Sequence, residues 1–395
     1  MARFASYIWL MIGLLLPVTA WGEQQSASAV DTAAMMKDDY IRASLLSITP
    51  DAEVYSIFGH CALRLQCPSQ QMDYCFTFET STDTEGIVNF FRGNSLGGFA
   101  PAPTPDYLEY YRQQGRGITE YVLNMTPEEK LELWKIVDDE IAKGFTHDYG
   151  YMHNQCTSMI VSVVNRALAT CIKYSDLPAE LDGSFRDLMI SASENYPWSR
   201  FFWQTIMGPE GDETEPLAHK LIPQLLPIAW EKATVGSENR RLIKDPGTKI
   251  VQEKVNTRAS NCWLSPLTVF TLLLLLVLLV SYFEWTKGWR KLPRTVDAVL
   301  LVCHTIVSLF LTWLVLFSTQ EGTSWNWYLV VFNPLPLLLW VLLPGCRVWV
   351  CRCFLLVLLV FVGLMCYIPQ LDLPHILIVA SLSVRLFMQI KRITK

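Results

Sequence analysis

Apolar positions change their spacing along the chain. Between residues 44 and 80 they alternate or cluster in short runs, as in "ASLLSITP", "EVYSIFGHCALRLQC" and "DYCFTFET", broken by Pro50, Asp51 and a turn from Cys67 to Met72. Runs of this length with turn residues between them predict three strands. "TDTEGIVNFFRG" predicts a turn and short helix, and "GITEYVLNM" another strand. The spacing then becomes helical. In "TPEEKLELWKIVDDEIAKG" Thr126 is the expected N-cap, Pro127 opens the helix, Glu129 stands three residues after the cap and Gly144 closes it. In "CTSMIVSVVNRALATC" the residues Met159, Ile160, Val163, Val164 and Ala167 form one apolar stripe, which puts Cys156 at a helix N-terminus. Residues 174 to 256 mix helix and loop signals.

Beyond Cys262 the texture becomes that of a membrane protein. Apolar segments at about 263–283, 297–318, 327–344, 353–369 and 374–390 predict five membrane helices, broken where they contain proline. The loops carrying Lys287, Arg290, Lys291 and Arg294, then Arg347 and Arg352, and the tail with Lys391, Arg392 and Lys395 are basic, whereas the alternate loops have no basic residue. The positive-inside rule therefore expects a cytoplasmic C-terminus and an N-terminal domain on the opposite side. The first 22 residues, with Arg3, an apolar stretch from Ile8 to Leu16 and small residues near Ala20, have a secretory signal layout that agrees with this orientation. The expected organisation is a signal peptide at 1–22, a polar lead-in at 23–43, an exported α+β domain at 44–240, a linker at 241–262 and an all-α membrane domain at 263–395.

A net charge of −5 and no basic block with interleaved aromatics give no indication of nucleic-acid binding. Six of the eleven cysteines precede the membrane segments, and an oxidising compartment would favour pairing. Cys67 and Cys75 flank a short turn and are one candidate cross-link.

Two residues carry candidate chemistry. A thiol at a helix N-terminus, as at Cys156, sits where backbone amides and the helix dipole favour thiolate. A nucleophilic thiol also needs a base, and His60 in an apolar strand is the candidate. Separately each has a plain structural reading, as a core histidine and as a small buried hydrophobe. His147 and His153 compete as bases because they are nearer to Cys156 in sequence. No Cys-x-x-Cys or His-x-x-x-His spacing suggests a metal, and the chemistry calls for no cofactor.

"GHCALRL" followed by a helix opening at "NQC" resembles the circularly permuted papain-like fold of the NlpC/P60 and lecithin:retinol acyltransferase type. More closely, "VYSIFGHCALRL", "YYRQQGRGITEYVLNMTPEEKLELW", "HNQCTS", "GPEGDE" and the membrane segment "WNWYLVVFNPLPLL" resemble the Lnb family, the lipoprotein N-acyltransferases of the Bacteroidetes type. The resemblance implies Cys156 as nucleophile, His60 as general base and Gly59 as a point of close backbone approach. It also marks Arg116, as an anion ligand or a salt-bridge partner, and Asn326 and Asn333 as polar positions of a membrane segment. Gln155 stands where the family usually has Asn, with Asn154 one place earlier, Met159 replaces an Arg, and "STQEGT" stands where an acid followed by His is expected. Glu79 and Thr77, sharing one face of the next strand, are candidates to orient His60; Asn154, Gln155 and His153 are further supporting candidates.

The implied reaction is ping-pong acyl transfer at the bacterial inner membrane. A phospholipid would acylate Cys156, and the thioester would pass its chain to the α-amine of a lipoprotein's diacylglyceryl cysteine. The rival readings are a membrane-anchored cysteine hydrolase, a non-enzymatic scaffold and a transporter; for the last, the spans offer few charges.

Overall fold

The computed structural model describes residues 40–53, 56–84, 86–168, 170–174, 177–178, 181–212, 222–254, 264–323, 325–342, 344–364 and 372–394. The expected signal peptide, almost all of the lead-in, Cys262 and the end of the fourth expected membrane segment lie outside the described residues.

A seven-stranded antiparallel sheet organises the N-terminal part. Its strands are β1 (Arg42–Ile48), β2 (His60–Cys67), β3 (Met72–Thr80), β4 (Leu96–Pro103), β5 (Ile118–Val122), β6 (His147–Asp148) and β10 (Thr248–Val251), in the order β10-β5-β1-β2-β3-β4-β6. Short strands β7 (Ile172–Lys173), β8 (Thr234–Val235) and β9 (Arg240–Arg241) form a second sheet. The helices of this part are α1 (Ile87–Arg92), α2 (Thr104–Gln114), α3 (Pro127–Lys143), α4 (Cys156–Ala167), α5 (Phe185–Ala192), α6 (Pro197–Ile206) and α7 (Leu226–Lys232). The central strands are buried on both faces, which explains their nearly continuous apolar runs. Leu45, Leu63, Leu65 and Phe78 pack with Leu133, Val137, Ile160, Val164 and Trp230 of α3, α4 and α7, while Leu46, Ile48, Ala62 and Cys75 face Tyr107 and Tyr111 of α2.

The helix that carries the expected capping box has one: the Thr126 side chain accepts from the Glu129 amide, and the Glu129 carboxylate accepts from the Thr126 amide at 2.8 Å. Glu140, buried near the far end of α3, binds Arg166 of α4 at 2.5 Å, Lys143 at 2.8 Å and His147 of β6 at 3.0 Å. These bonds fix α4 against α3 and thereby fix the position of its first residue, Cys156.

Two expectations are corrected. The stretch expected as linker contributes β10, which pairs with β5 at the sheet edge, and Ile243 bridges Leu123. Cys67 and Cys75 are both free thiols: Cys67 stands opposite Met72 and Cys75 opposite Arg64, so strand register keeps them apart. Among the described residues three helices are long and apolar enough to cross a membrane: α8 (Pro266–Lys287), α9 (Lys291–Phe317) and α13 (Leu373–Thr394). The third expected segment is broken at Asn333 and Pro334 into α10 (Tyr328–Val331) and α11 (Leu335–Leu342), because proline supplies no amide to continue the helix. The fourth forms α12 (Arg347–Gly363), 17 residues long. Buried Arg385 binds Glu284, Asp297 and Ser281, and Arg392 binds both acids, tying α8, α9 and α13 together.

The sheet domain and the helical domain share an apolar core. Phe91, Trp203 and Met207 cluster with Leu311, Leu314, Phe354 and Leu358. Polar contacts join the same parts: Asn326 donates to Thr205 O at 2.7 Å, Gly208 N to Gly322 O at 2.6 Å, and Thr319 N to Arg92 O at 3.1 Å.

Candidate active site

His60 opens β2 directly after a turn in which Gly59 N donates to Ser56 O at 2.9 Å. Gly59 has φ +80°, and a Cβ there would stand 2.6 Å from Ile48 O, so both conformation and space call for glycine. On the neighbouring strand Thr77 pairs with Ala62, two residues from His60 on the same face. That diagonal relation lets Thr77 Oγ1 reach His60 Nε2 at 2.6 Å. Glu79 is exposed, and burial of part of its carboxyl raises its pKa; Thr77 makes the bond to the imidazole.

Cys156 is the first residue of α4 and is buried. Gln155 is its N-cap: Oε1 accepts from Thr157 N at 2.8 Å and from Cys156 Sγ at 3.5 Å, while Gln155 N donates to Ser158 Oγ at 3.0 Å. Asn154 has φ +51° at the exposed turn before the cap, a conformation that asparagine tolerates better than most residues. Burial raises the pKa of the Cys156 thiol, and the amides of Cys61, Thr157 and Cys156 together with the Thr157 hydroxyl oppose that rise. For His60, burial and then the positive charge of Arg116 lower the pKa to about 3. The resting pair is therefore a neutral thiol and a neutral imidazole, with the sulfur at the N-terminus of α4.

Both side chains line one cavity of about 110 Å³, walled also by Phe90, Tyr149, Phe185, Met189 and Trp203. His60 additionally lines a polar chamber of about 680 Å³ that includes Glu79, Tyr111, Arg116 and Tyr149. The imidazole thus stands between an apolar compartment with the thiol and a polar one with the arginine.

The structure separates the other candidates from this pair. His147 is bound to Glu140, and His153 forms an exposed ion pair with Glu321 of the helical domain. Asn326 and Asn333 do not line either cavity. Asn326 ties Thr205 to the Tyr328 amide, and Asn333 donates to Val330 O at 2.9 Å beside the proline break. Arg116 donates from Nε to Thr49 O at 2.7 Å and lies 5.0 Å from the Tyr111 ring centre.

Sequence reasoning missed Cys61, Tyr149 and Gln320. Buried Gln320, in the loop after α9, donates from Nε2 to Tyr149 O at 3.0 Å and to Phe90 O at 2.7 Å. The segment leading to the nucleophile is thus held by the helical domain. Its partners are backbone carbonyls, which leave no mark on sequence.

Two family models match this chain. One, described as the Lnb N-terminal periplasmic domain, covers residues 31–186, and the other, the Lnb transmembrane domain, covers residues 257–395. The chain belongs to the Lnb family. The two Lnb matches include the thiol–imidazole pair on one side and α8 to α13 on the other, so they describe a membrane protein with a periplasmic domain. Comparisons with curated proteins and with solved structures gave no match for this Lnb chain.

Proposed function

We propose that this protein is a lipoprotein N-acyltransferase of the bacterial inner membrane, with its thiol domain in the periplasm and its C-terminus in the cytoplasm. One observation carries the reading. The wall of the thiol–imidazole cavity (Phe90, Phe185, Met189, Trp203) belongs to the same apolar cluster as Leu311, Leu314 and Phe361 of the helical domain. A nucleophile placed there is suited to a substrate whose acyl chain comes from the bilayer. The order of a His-bearing strand before a Cys-bearing helix also agrees with a permuted papain-like core.

In the first half-reaction the Cys156 sulfur attacks an ester carbonyl of a phospholipid while His60 takes the thiol proton. With Nε2–H donating to Thr77, the lone pair that accepts this proton is on Nδ1. The N-terminus of α4, where the sulfur sits, favours negative charge as the thiolate and then the tetrahedral oxyanion form. Collapse breaks the carbon–oxygen bond, the leaving alkoxide takes the proton from His60, and a thioester and a lysophospholipid result. In the second half the α-amine of a diacylglyceryl cysteine attacks the thioester, its proton passes through His60 to the departing sulfur, and an amide forms. Because both resting groups are neutral, the base acts in concert with attack rather than through a standing ion pair.

The test is the mass of N-terminal lipopeptides from cells whose only N-acyltransferase is this protein, wild type or Cys156→Ala. One acyl chain fewer in the mutant, at equal protein abundance, is the expected result. An unchanged mass would overturn the transferase reading. Release of free fatty acid without lipopeptide acylation would favour a hydrolase.

A further inference from the structure

We infer that the polar chamber beside His60 is a subsite for a phosphodiester, with Arg116 as its anion ligand. The inference rests on the acyltransferase reading, and it assigns the two sides of the imidazole to the two parts of one donor. The acyl ester would lie on the thiol side and the phosphate on the arginine side.

Three observations support the assignment. Arg116 is 6% exposed, and its Nη2 has no hydrogen-bond partner among the described residues. A buried guanidinium nitrogen without a partner is costly, and an anion would remove that cost. The side chain is also fixed before any ligand arrives. Nε is held by Thr49 O at 2.7 Å, the guanidinium lies over the Tyr111 ring, and Thr49 is bonded in both directions to Gly117. Finally, the chamber of about 680 Å³ is lined by both Arg116 and His60, so an anion bound there is close to the reacting groups.

The charges around the chamber restrict which anion fits. Arg116 is buried, whereas Glu53, Glu79 and Lys254 of the same lining are exposed, and Asp51 is occupied with the Ala52 amide at 2.7 Å. A buried cation beneath a rim with more carboxylates than amines suits one negative charge and disfavours two. That selects a phosphodiester over a phosphomonoester or free phosphate, and a phospholipid over a neutral glyceride.

Binding can be read without catalysis by using diether lipids, which have no ester to cleave. The full-length protein in neutral detergent would be titrated with a diether glycerophosphodiester, the matching diether phosphatidic acid and the matching dialkylglycerol. The expected result is binding of the diester at least tenfold tighter than either of the others. Arg116→Gln should remove that preference, and Arg116→Lys, which keeps a cation, should retain part of it. Equal wild-type affinity for diester and dialkylglycerol would overturn the assignment, as would a preference that persists in Arg116→Gln. Acylation of Cys156 by ester lipids, read by intact mass, is scored separately. Its absence would defeat the transferase reading while the diether titration still decides the anion subsite.

Discussion

Replacing Thr77 by valine removes one hydroxyl from the site and nearly conserves volume, so its effect can be worked from a single bond. Thr77 is buried, and its Oγ1 lies 2.6 Å from His60 Nε2. With both partners neutral such a bond contributes about 1 kcal/mol. Once His60 has taken the thiol proton, the same bond holds an imidazolium and rises to about 1.5–3 kcal/mol. Only the difference, about 0.5–2 kcal/mol, is lost from the transition state, which corresponds to roughly a 2- to 30-fold slower acylation step. The assay is single-turnover acylation of Cys156 by a saturating ester lipid, read as the intact-mass increase with time. Thr77→Ser, which keeps the hydroxyl, should recover most of the rate. A Thr77→Val rate within the error of wild type would refute the reasoning. So would a Thr77→Ser loss as large as that of valine, since packing rather than the bond would then matter.

Gln320→Leu leaves the carbonyls of Tyr149 and Phe90 without their side-chain donor, at a cost of about 1–3 kcal/mol. The expected sign is faster amide hydrogen exchange in residues 149–156, with the strands of the sheet unchanged; unaltered exchange there would contradict the supporting role. The depressed pKa of His60 gives a pH prediction. A free imidazole would be mostly protonated at pH 5, but a group titrating at about 3 is still a base there, so acylation should fall less than twofold from pH 7.5 to 5. A tenfold loss over that range, with the fold intact, would show that His60 titrates normally. The unfolded chain binds the proton that the folded site refuses, so this group's contribution to stability should decline as pH falls from about 6.5 toward 3. The decline is by up to about 1.4 kcal/mol per pH unit and can be followed by thermal unfolding in detergent.

What could be read in advance had local causes. The helix Pro127–Lys143 is specified by its own cap, proline and closing glycine, and the stripe after Cys156 by its own periodicity. Thr77 and Glu79 could be named because strand alternation puts them on the face of His60, but choosing between them needed the register. The strand Thr248–Val251 was hidden because it is a short edge strand with one buried residue, Val251, paired to a strand far away in sequence. The cysteine cross-link failed for the same reason, since hairpin register was unknown. Asn326 and Asn333 were recognised as polar positions in an apolar stretch, but polarity alone does not distinguish a ligand from a helix stop or a tie between domains.

The bond from Gln320 to Tyr149 O spans 171 residues of chain. At synthesis rates of about 5–20 residues per second, the carbonyl waits roughly 10–35 s for its donor. Throughout that interval the nucleophile's loop has its bond to Ser95 O and its stack on Phe78 but not the Gln320 donor, and the delay ends only when α8, α9 and the loop after them have emerged. A chain stalled or misinserted before that point carries Cys156 and His60 but lacks the contact that braces their approach. The last tie on the loop that leads to the thiol is therefore closed only after the first two membrane helices have been made.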